Sequence, residues 1–179
     1  MRVRHGEPDS SVAAGTATVN EFTPPANARY IRFQTFQADS SSPIHDLDMF
    51  VYRFNPDPTV NAYQLIATSG GPDANEVVNT TSTGSLTAGA KFKVYILGCG
   101  VDAGGGDFTL FAWAITTTPS HGFKTTPADQ SVTVGQVIPE TFSWQGLPSG
   151  NRYLGRVSYV DPATTTPAMP STIIAVSTR

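Results

Sequence analysis

The residues able to do chemistry gather first in the stretch 44–54, IHDLDMFVYRF, where Asp46 and Asp48 stand one residue apart at the mouth of an apolar run. Carboxylates at i and i+2 of an extended segment point to the same side, so the pair can share a cation or divide acid and base roles. Calcium takes roughly six to eight oxygen ligands, drawn from carboxylates, carbonyls and water. No contiguous D-x-[DN]-x-[DN]-G loop occurs, so the remaining ligands must come from a neighbouring loop such as 104–107, GGGD, which nominates Asp107 as a third. Glu21, Asp39 and Asp73 are the other acids in loop-like surroundings. The competing account of these side chains is plain: aspartates in turns satisfy backbone amides.

Glycosidic cleavage by paired carboxylates would use Asp46 with Asp48, or Glu76 with Asp107, roughly 5–10 Å apart in a sugar-sized cleft. The sequence supplies no sign of that cleft. Hydrolysis through serine needs a nucleophile on a strained turn with a base and an orienting acid converging on it. There is no G-x-S-x-G, and His5, His45 and His121 lie in polar, loop-like segments. The adjacent His45 and Asp46 read as a surface or capping pair. Cys99 is the only cysteine. It excludes an internal disulfide and reads as a buried small hydrophobe, no histidine lying near it in sequence. Asn79-Thr80-Thr81 fits a glycan-acceptor pattern. Tyr52, Phe54, Tyr95 and Trp113 nominate an aromatic face for a sugar or peptide, against the alternative that aromatic rows at strand spacing are core.

The elements that must position these groups are strands. Gly 16, Pro 14 and only 14% charged residues describe many turns and short strands, and no apolar helical period runs for a dozen positions. Period-2 alternation puts Leu47, Met49 and Val51 on one face of the 44–54 strand and Asp48, Phe50, Tyr52 and Phe54 on the other. Further strands are expected at 16–22, 29–36, 63–69, 76–79, 91–97 and 108–115. Residues 98–107 read as a glycine-rich loop. Residues 1–15 read as a linker, 16–116 as one β-sandwich, and 117–179 as a smaller β module with strands at 130–134, 139–144, 152–159 and 171–177. Phe111, Trp113 and Ile115 have no core on their own face of the sequence pattern, which nominates them for contact with that module.

A formal net charge of −3, with scattered Lys and Arg, offers no basic stripe to a phosphate backbone, so nucleic acid is not an expected partner. No run approaches the roughly 18 apolar residues of a membrane span, and the start lacks the pattern of an export signal. Low lysine and cysteine with abundant Thr, Ser, Gly and Asn suit an exported bacterial protein.

These residues also carry a resemblance. Residues 46–52, DLDMFVY, then 67–71, ATSGG, with Asn75-Glu76, and finally 106–110, GDFTL, resemble the bacterial pre-peptidase C-terminal domain. Residues 132–136, VTVGQ, 142–147, FSWQGL, and 152–159, RYLGRVSY, are similar to the fibronectin-III-like ends of bacterial subtilisin-like serine proteases. The resemblance spans roughly 16–177 and implies an all-β fold, a jelly-roll-like antiparallel sandwich with a fibronectin-III/Ig-like module packed against it. It implies a non-catalytic accessory region of a secreted, extracellular protease, whose partner is the parent's catalytic domain and whose work is stabilisation, targeting or maturation. Calcium enters through Asp46 and Asp48, and no cofactor is required. Two other functions stay open: a carbohydrate- or collagen-binding module contacting an extracellular polymer or protein substrate, and a structural spacer or adhesin segment without a ligand.

Overall fold

The computed structural model describes residues 2–4, 10–81, 90–118, 120–133, 135–164 and 167–178. The chain is all-β and falls into two compact units, Arg4–Thr116 and Thr117–Arg179 together with Met1–Val3. Its strands are β1 (Arg2–Arg4), β2 (Ser10–Val12), β3 (Ala17–Phe22), β4 (Ala28–Gln34), β5 (Asp46–Asn55), β6 (Ala62–Gly70), β7 (Val77–Thr81), β8 (Phe92–Gly100), β9 (Gly106–Phe108), β10 (Phe111–Thr116), β11 (Lys124–Thr126), β12 (Thr141–Ser143), β13 (Arg152–Val160) and β14 (Pro167–Ser177), with one 3-10 turn at Gln37–Asp39. No helix among the described residues is long and apolar enough to cross a membrane.

Unit Arg4–Thr116 is a sandwich of two antiparallel sheets. One runs in the order β3-β8-β5-β6, the other contains β10-β4-β7, and the ribbon β2-β9 lies beside them. The expected alternation of β5 holds: Leu47, Met49 and Val51 are buried, while Asp46, Asp48, Phe50 and Tyr52 are only partly so. Strand β8 repeats it, burying Phe92, Val94 and Ile96 and turning Lys93, Tyr95 and Leu97 outward. Against them β4 and β10 set Ile31, Phe33, Ala112 and Ala114, and Phe33 joins the sheets by ring contacts with Phe22 at 5.5 Å and Phe92 at 5.7 Å. Each large apolar side chain so buried contributes about 1.5–3 kcal/mol before the entropy of ordering it.

Four local expectations differ from what the chain does. Residues 10–12 lie in the stretch read as linker, yet β2 pairs with β9 and Val12 enters the core. Within the glycine-rich segment, Gly98–Gly100 extend β8 and Gly106–Phe108 form β9, since ladder pairing with β5 and β2 outweighs the low strand preference of glycine. Residues 130–133 form no strand, and Val134 lies outside the described residues. Lys124–Thr126, not expected as a strand, pairs with Thr141–Ser143.

Unit Thr117–Arg179 is built from two ribbons, β11-β12 and the longer hairpin β13-β14. Phe123 and Phe142 stack at 6.4 Å, His121 meets Tyr153 edge to face at 5.8 Å, and Tyr159 donates to Glu140 at 2.7 Å. The apolar interior is slight. Only Tyr153 and Leu154 are buried among the hydrophobic side chains described here.

Candidate functional site

Asp46 and Asp48 share the outer face of β5, at the end where β5 lies between β8 and β6. In register Asp48 stands opposite Gly70 of β6 and Leu97 of β8, and Asp46 opposite Gly100. Gly70 lies close against that carboxylate: a Cβ added to it would sit 2.5 Å from Asp48 Oδ1, so Asp48 would have to turn aside. The Cys99 thiol donates to Asp48 Oδ2 at 2.9 Å. Cys99 is exposed, contrary to the expectation of a buried cysteine, because its position on β8 is outward and the loop beyond does not cover it.

The segment 71–76 closes this end. Asp73 O accepts from the Leu47 amide at 3.2 Å, the Thr35 amide bonds Glu76 O at 2.9 Å, and Thr35 Oγ1 donates to Ala74 O at 2.7 Å. Those bonds carry Glu76 inward until it is 2% exposed. Its Oε1 accepts from the Gly71 amide at 3.1 Å. Burial pushes the Glu76 carboxyl above the usual carboxylate range, with the charges of Asp48 and Asp73 adding to it and hydrogen bonds from Ser69 and Gly71 opposing. The Cys99 thiol is pushed up to about 11, first by its bond to Asp48, then by partial burial and by the charges of Asp48, Asp46 and Glu76. Asp73 moves the other way: bonds from Asn75 hold it below its ordinary value.

Asp48 accepts from the thiol through Oδ2, Glu76 accepts from Gly71 through Oε1, and Asp46 Oδ1 is buried without a hydrogen-bond partner. Asp107 does not join them: it lies on β9, pairs with Ser11, and exchanges backbone and side-chain bonds with Ser41. Among the described residues no three His, Cys, Asp or Glu side chains are grouped to hold a metal ion. The sequence brought Asp46 and Asp48 together correctly, but a loop rich in glycine carries no information about where its last aspartate points.

His45, read above as half of a surface pair, is 1% exposed. Its Nδ1 lies 2.9 Å from Ser40 Oγ and its Nε2 lies 3.1 Å from Asp102 Oδ2. Asp102 can only accept when ionised, so a neutral ring carries its proton on Nε2 and accepts from the Ser40 hydroxyl at Nδ1. This Ser-His-Asp chain links the loop before β5 to the loop after β8. Gly106 backs the imidazole so closely that a Cβ would fall 2.8 Å from Nδ1, the Ser40 amide is committed to Gln37 O and the Ser41 amide to Asp107 O. Two of the donors nearest Ser40 are thus unavailable to a developing oxyanion, the feature acyl transfer requires. The three residues stand 5 and 57 positions apart; their spacing held no signal.

The aromatic candidates divide. Tyr52 and Tyr95 meet edge to face at 5.2 Å, Phe54 and Tyr63 lie tilted at 5.3 Å, and Lys93 Nζ lies 4.6 Å from the Tyr63 ring centroid while reaching Glu21 at 3.4 Å. These side chains form one row on the outer face of β3-β8-β5-β6. Trp113 is not part of it. It belongs to β10 in the other sheet, is 2% exposed, and stacks on Phe111 at 5.4 Å. Both faces of β10 are covered, so its aromatic period marked burial rather than a platform. Asn79 also has a structural use, its Oδ1 accepting from Tyr30 at 2.6 Å and Arg32 at 2.7 Å. No family model matches the chain, and no curated protein matches it.

Proposed function

We propose that the chain is a non-catalytic accessory region of an extracellular bacterial subtilisin-like serine protease, which stabilises, targets or helps mature a catalytic domain. One observation supports this reading above the others. The stretches that carry the resemblance, 46–52, 67–71 and 75–76, lie together on the paired strands β5 and β6 and the turn after β6, where Asp48 faces Gly70 and Gly71 binds Glu76. Residues 106–108 add the ribbon strand paired with β2.

The test has two arms. The isolated chain should hydrolyse neither casein nor small esters, and a fluorophosphonate should leave it unlabelled; labelling at Ser40, whose hydroxyl already bonds an imidazole, would overturn the non-catalytic reading. Fused behind a subtilisin-type catalytic domain, the chain should lengthen that domain's half-life at raised temperature or its retention on a protein substrate. If neither changes, the accessory role fails.

A second reading rests on the outer aromatic row. Tyr52, Phe54, Tyr63 and Tyr95 with Lys93 present ring faces and a cation on one surface, which suits an extracellular polysaccharide or collagen. Retention on insoluble collagen, chitin or cellulose, lost on Tyr95→Ala with the melting temperature unchanged, would favour it. Blank results in all of these assays leave the spacer reading.

A further inference from the structure

Among the described residues Glu76 is the only buried acid. Its side chain accepts from the Gly71 amide and the Ser69 hydroxyl, both neutral donors. No cation reaches it. The chain has no Lys or Arg at 33–52, 54–90 or 94–123, and the described ion pairs of His45 and Lys93 go to Asp102 and Glu21. What faces Glu76 is acidic: Asp48 comes from β5 and Asp73 from its own turn. Asp46 of β5 and the Cys99 thiol of β8 stand with Asp48, while β4 contributes only the uncharged Thr35. An ionised carboxylate in this place gives up water and meets two like charges in return for two bonds to neutral donors. Protonation relieves both costs. The backbone of the same residue holds the turn, since the Thr35 amide bonds Glu76 O at 2.9 Å and the Glu76 amide bonds Thr35 Oγ1 at 3.2 Å.

We propose that the turn 71–76 is a pH-operated latch, shut while the Glu76 carboxyl is neutral and loosened as it ionises. The opening is local. The charged side chain regains water by withdrawing from Gly71 and Ser69, which loosens the turn from Thr35 and from Leu47, whose amide bonds Asp73 O. Phe92, Val94 and Ile96 of the sandwich interior stay packed. A carboxyl whose neutral form the fold favours stabilises the closed turn below the pH at which an unfolded glutamate titrates. That contribution is lost as pH rises through the value in the fold, which burial and the charges of Asp48 and Asp73 push upward. Asp73 acts in the opposite sense: bonds from Asn75 favour its ionised form, so its contribution is lost at lower pH. The latch is therefore tightest in mildly acid solution and looser on the alkaline side.

Amide exchange in the unmodified chain, expressed as protection relative to an unfolded peptide at each pH from about 5 to about 8, tests this. Protection at Thr35, Leu47 and Gly71 should fall several-fold as pH rises, while Val94 in β8 keeps its protection. The Glu76 carboxyl carbon, followed by NMR, should titrate at higher pH than that of the exposed Glu21, with a midpoint that matches the loss of protection. Glu76→Gln keeps an acceptor for Gly71 without the charge, so protection at the three amides should stay level across the range. Comparing the two chains cancels what His45 and the remaining acids contribute. Asp48→Asn removes one facing charge and should move the Glu76 midpoint down. A Glu76 midpoint no higher than that of Glu21, an equal pH response in the Glu76→Gln chain, or loss of protection that includes Val94 would each overturn the proposal, and the first of these is read without any variant.

Discussion

The Cys99 thiol shows how the fold alters one residue's chemistry. Its proton lies on Sγ, 2.9 Å from Asp48 Oδ2, and ionisation would place a thiolate beside that carboxylate. With the thiol pushed up to about 11, it stays protonated through neutral and mildly alkaline pH, since a raised value moves ionisation upward. Alkylation at pH 8 should therefore run on the order of tenfold slower than for an ordinary thiol of pKa about 8.5, after allowing for the greater nucleophilicity of the more basic thiolate. Exposure alone predicts the opposite. Asp48→Asn removes the charge and should speed alkylation, with the pH at half-maximal rate moving down; an unchanged profile would mean that Asp48 does not govern the thiol. The same pair explains why the two aspartates were legible as a cluster but not in their role. Period-2 spacing puts Asp46 and Asp48 on one side, whereas the partner of Asp48 comes from β8, 51 residues away.

At the scale of elements, alternation was the reliable signal. Leu47, Met49 and Val51 in β5 and Phe92, Val94 and Ile96 in β8 could be assigned to the core from spacing because each strand has one face on the sandwich interior. Short strands were less legible, since β2, β9 and β11 have three residues each and cannot show a period. Val12 gives the sharpest case. Polar neighbours hid it, yet it is 2% exposed within the core. Val12→Ala should lower the stability of the chain by about 2 kcal/mol, from two lost methyl groups and a residual cavity, while Val132→Ala at an exposed position should change it by less than about 0.5 kcal/mol. Urea unfolding measures both: the midpoint should fall for the first with the slope unchanged. Equal effects would return residues 10–12 to the role of a linker. Glu76 and Ser40 belong to a further class that pattern reading misses, because bonds between loops place them and sequence periodicity does not record such bonds.

For the whole molecule, the two units differ in what they can sustain alone. Arg4–Thr116 carries a two-sheet sandwich with a contiguous interior from Val12 to Ala114. Thr117–Arg179 offers two ribbons and, among the described residues, only Tyr153 and Leu154 as buried apolar side chains. A domain of roughly 60 residues buries only about 60% of the surface its unfolded chain exposes, and isolated two-stranded hairpins are marginal in water. The fragment 4–116 should therefore melt cooperatively, with dispersed amide resonances and slow exchange along β5 and β8. The fragment 117–179 should show no cooperative transition, and its amides should exchange within minutes at neutral pH. A sigmoidal melt from that fragment would mean that the stacked Phe123 and Phe142, with the Tyr159–Glu140 bond, hold it together more strongly than their burial indicates. The expected outcome assigns the stability of the chain to the sandwich, so a substitution such as Gly106→Ala, which forces the His45 ring away from its backing, should lower the melting temperature of fragment 4–116 and of the full chain alike.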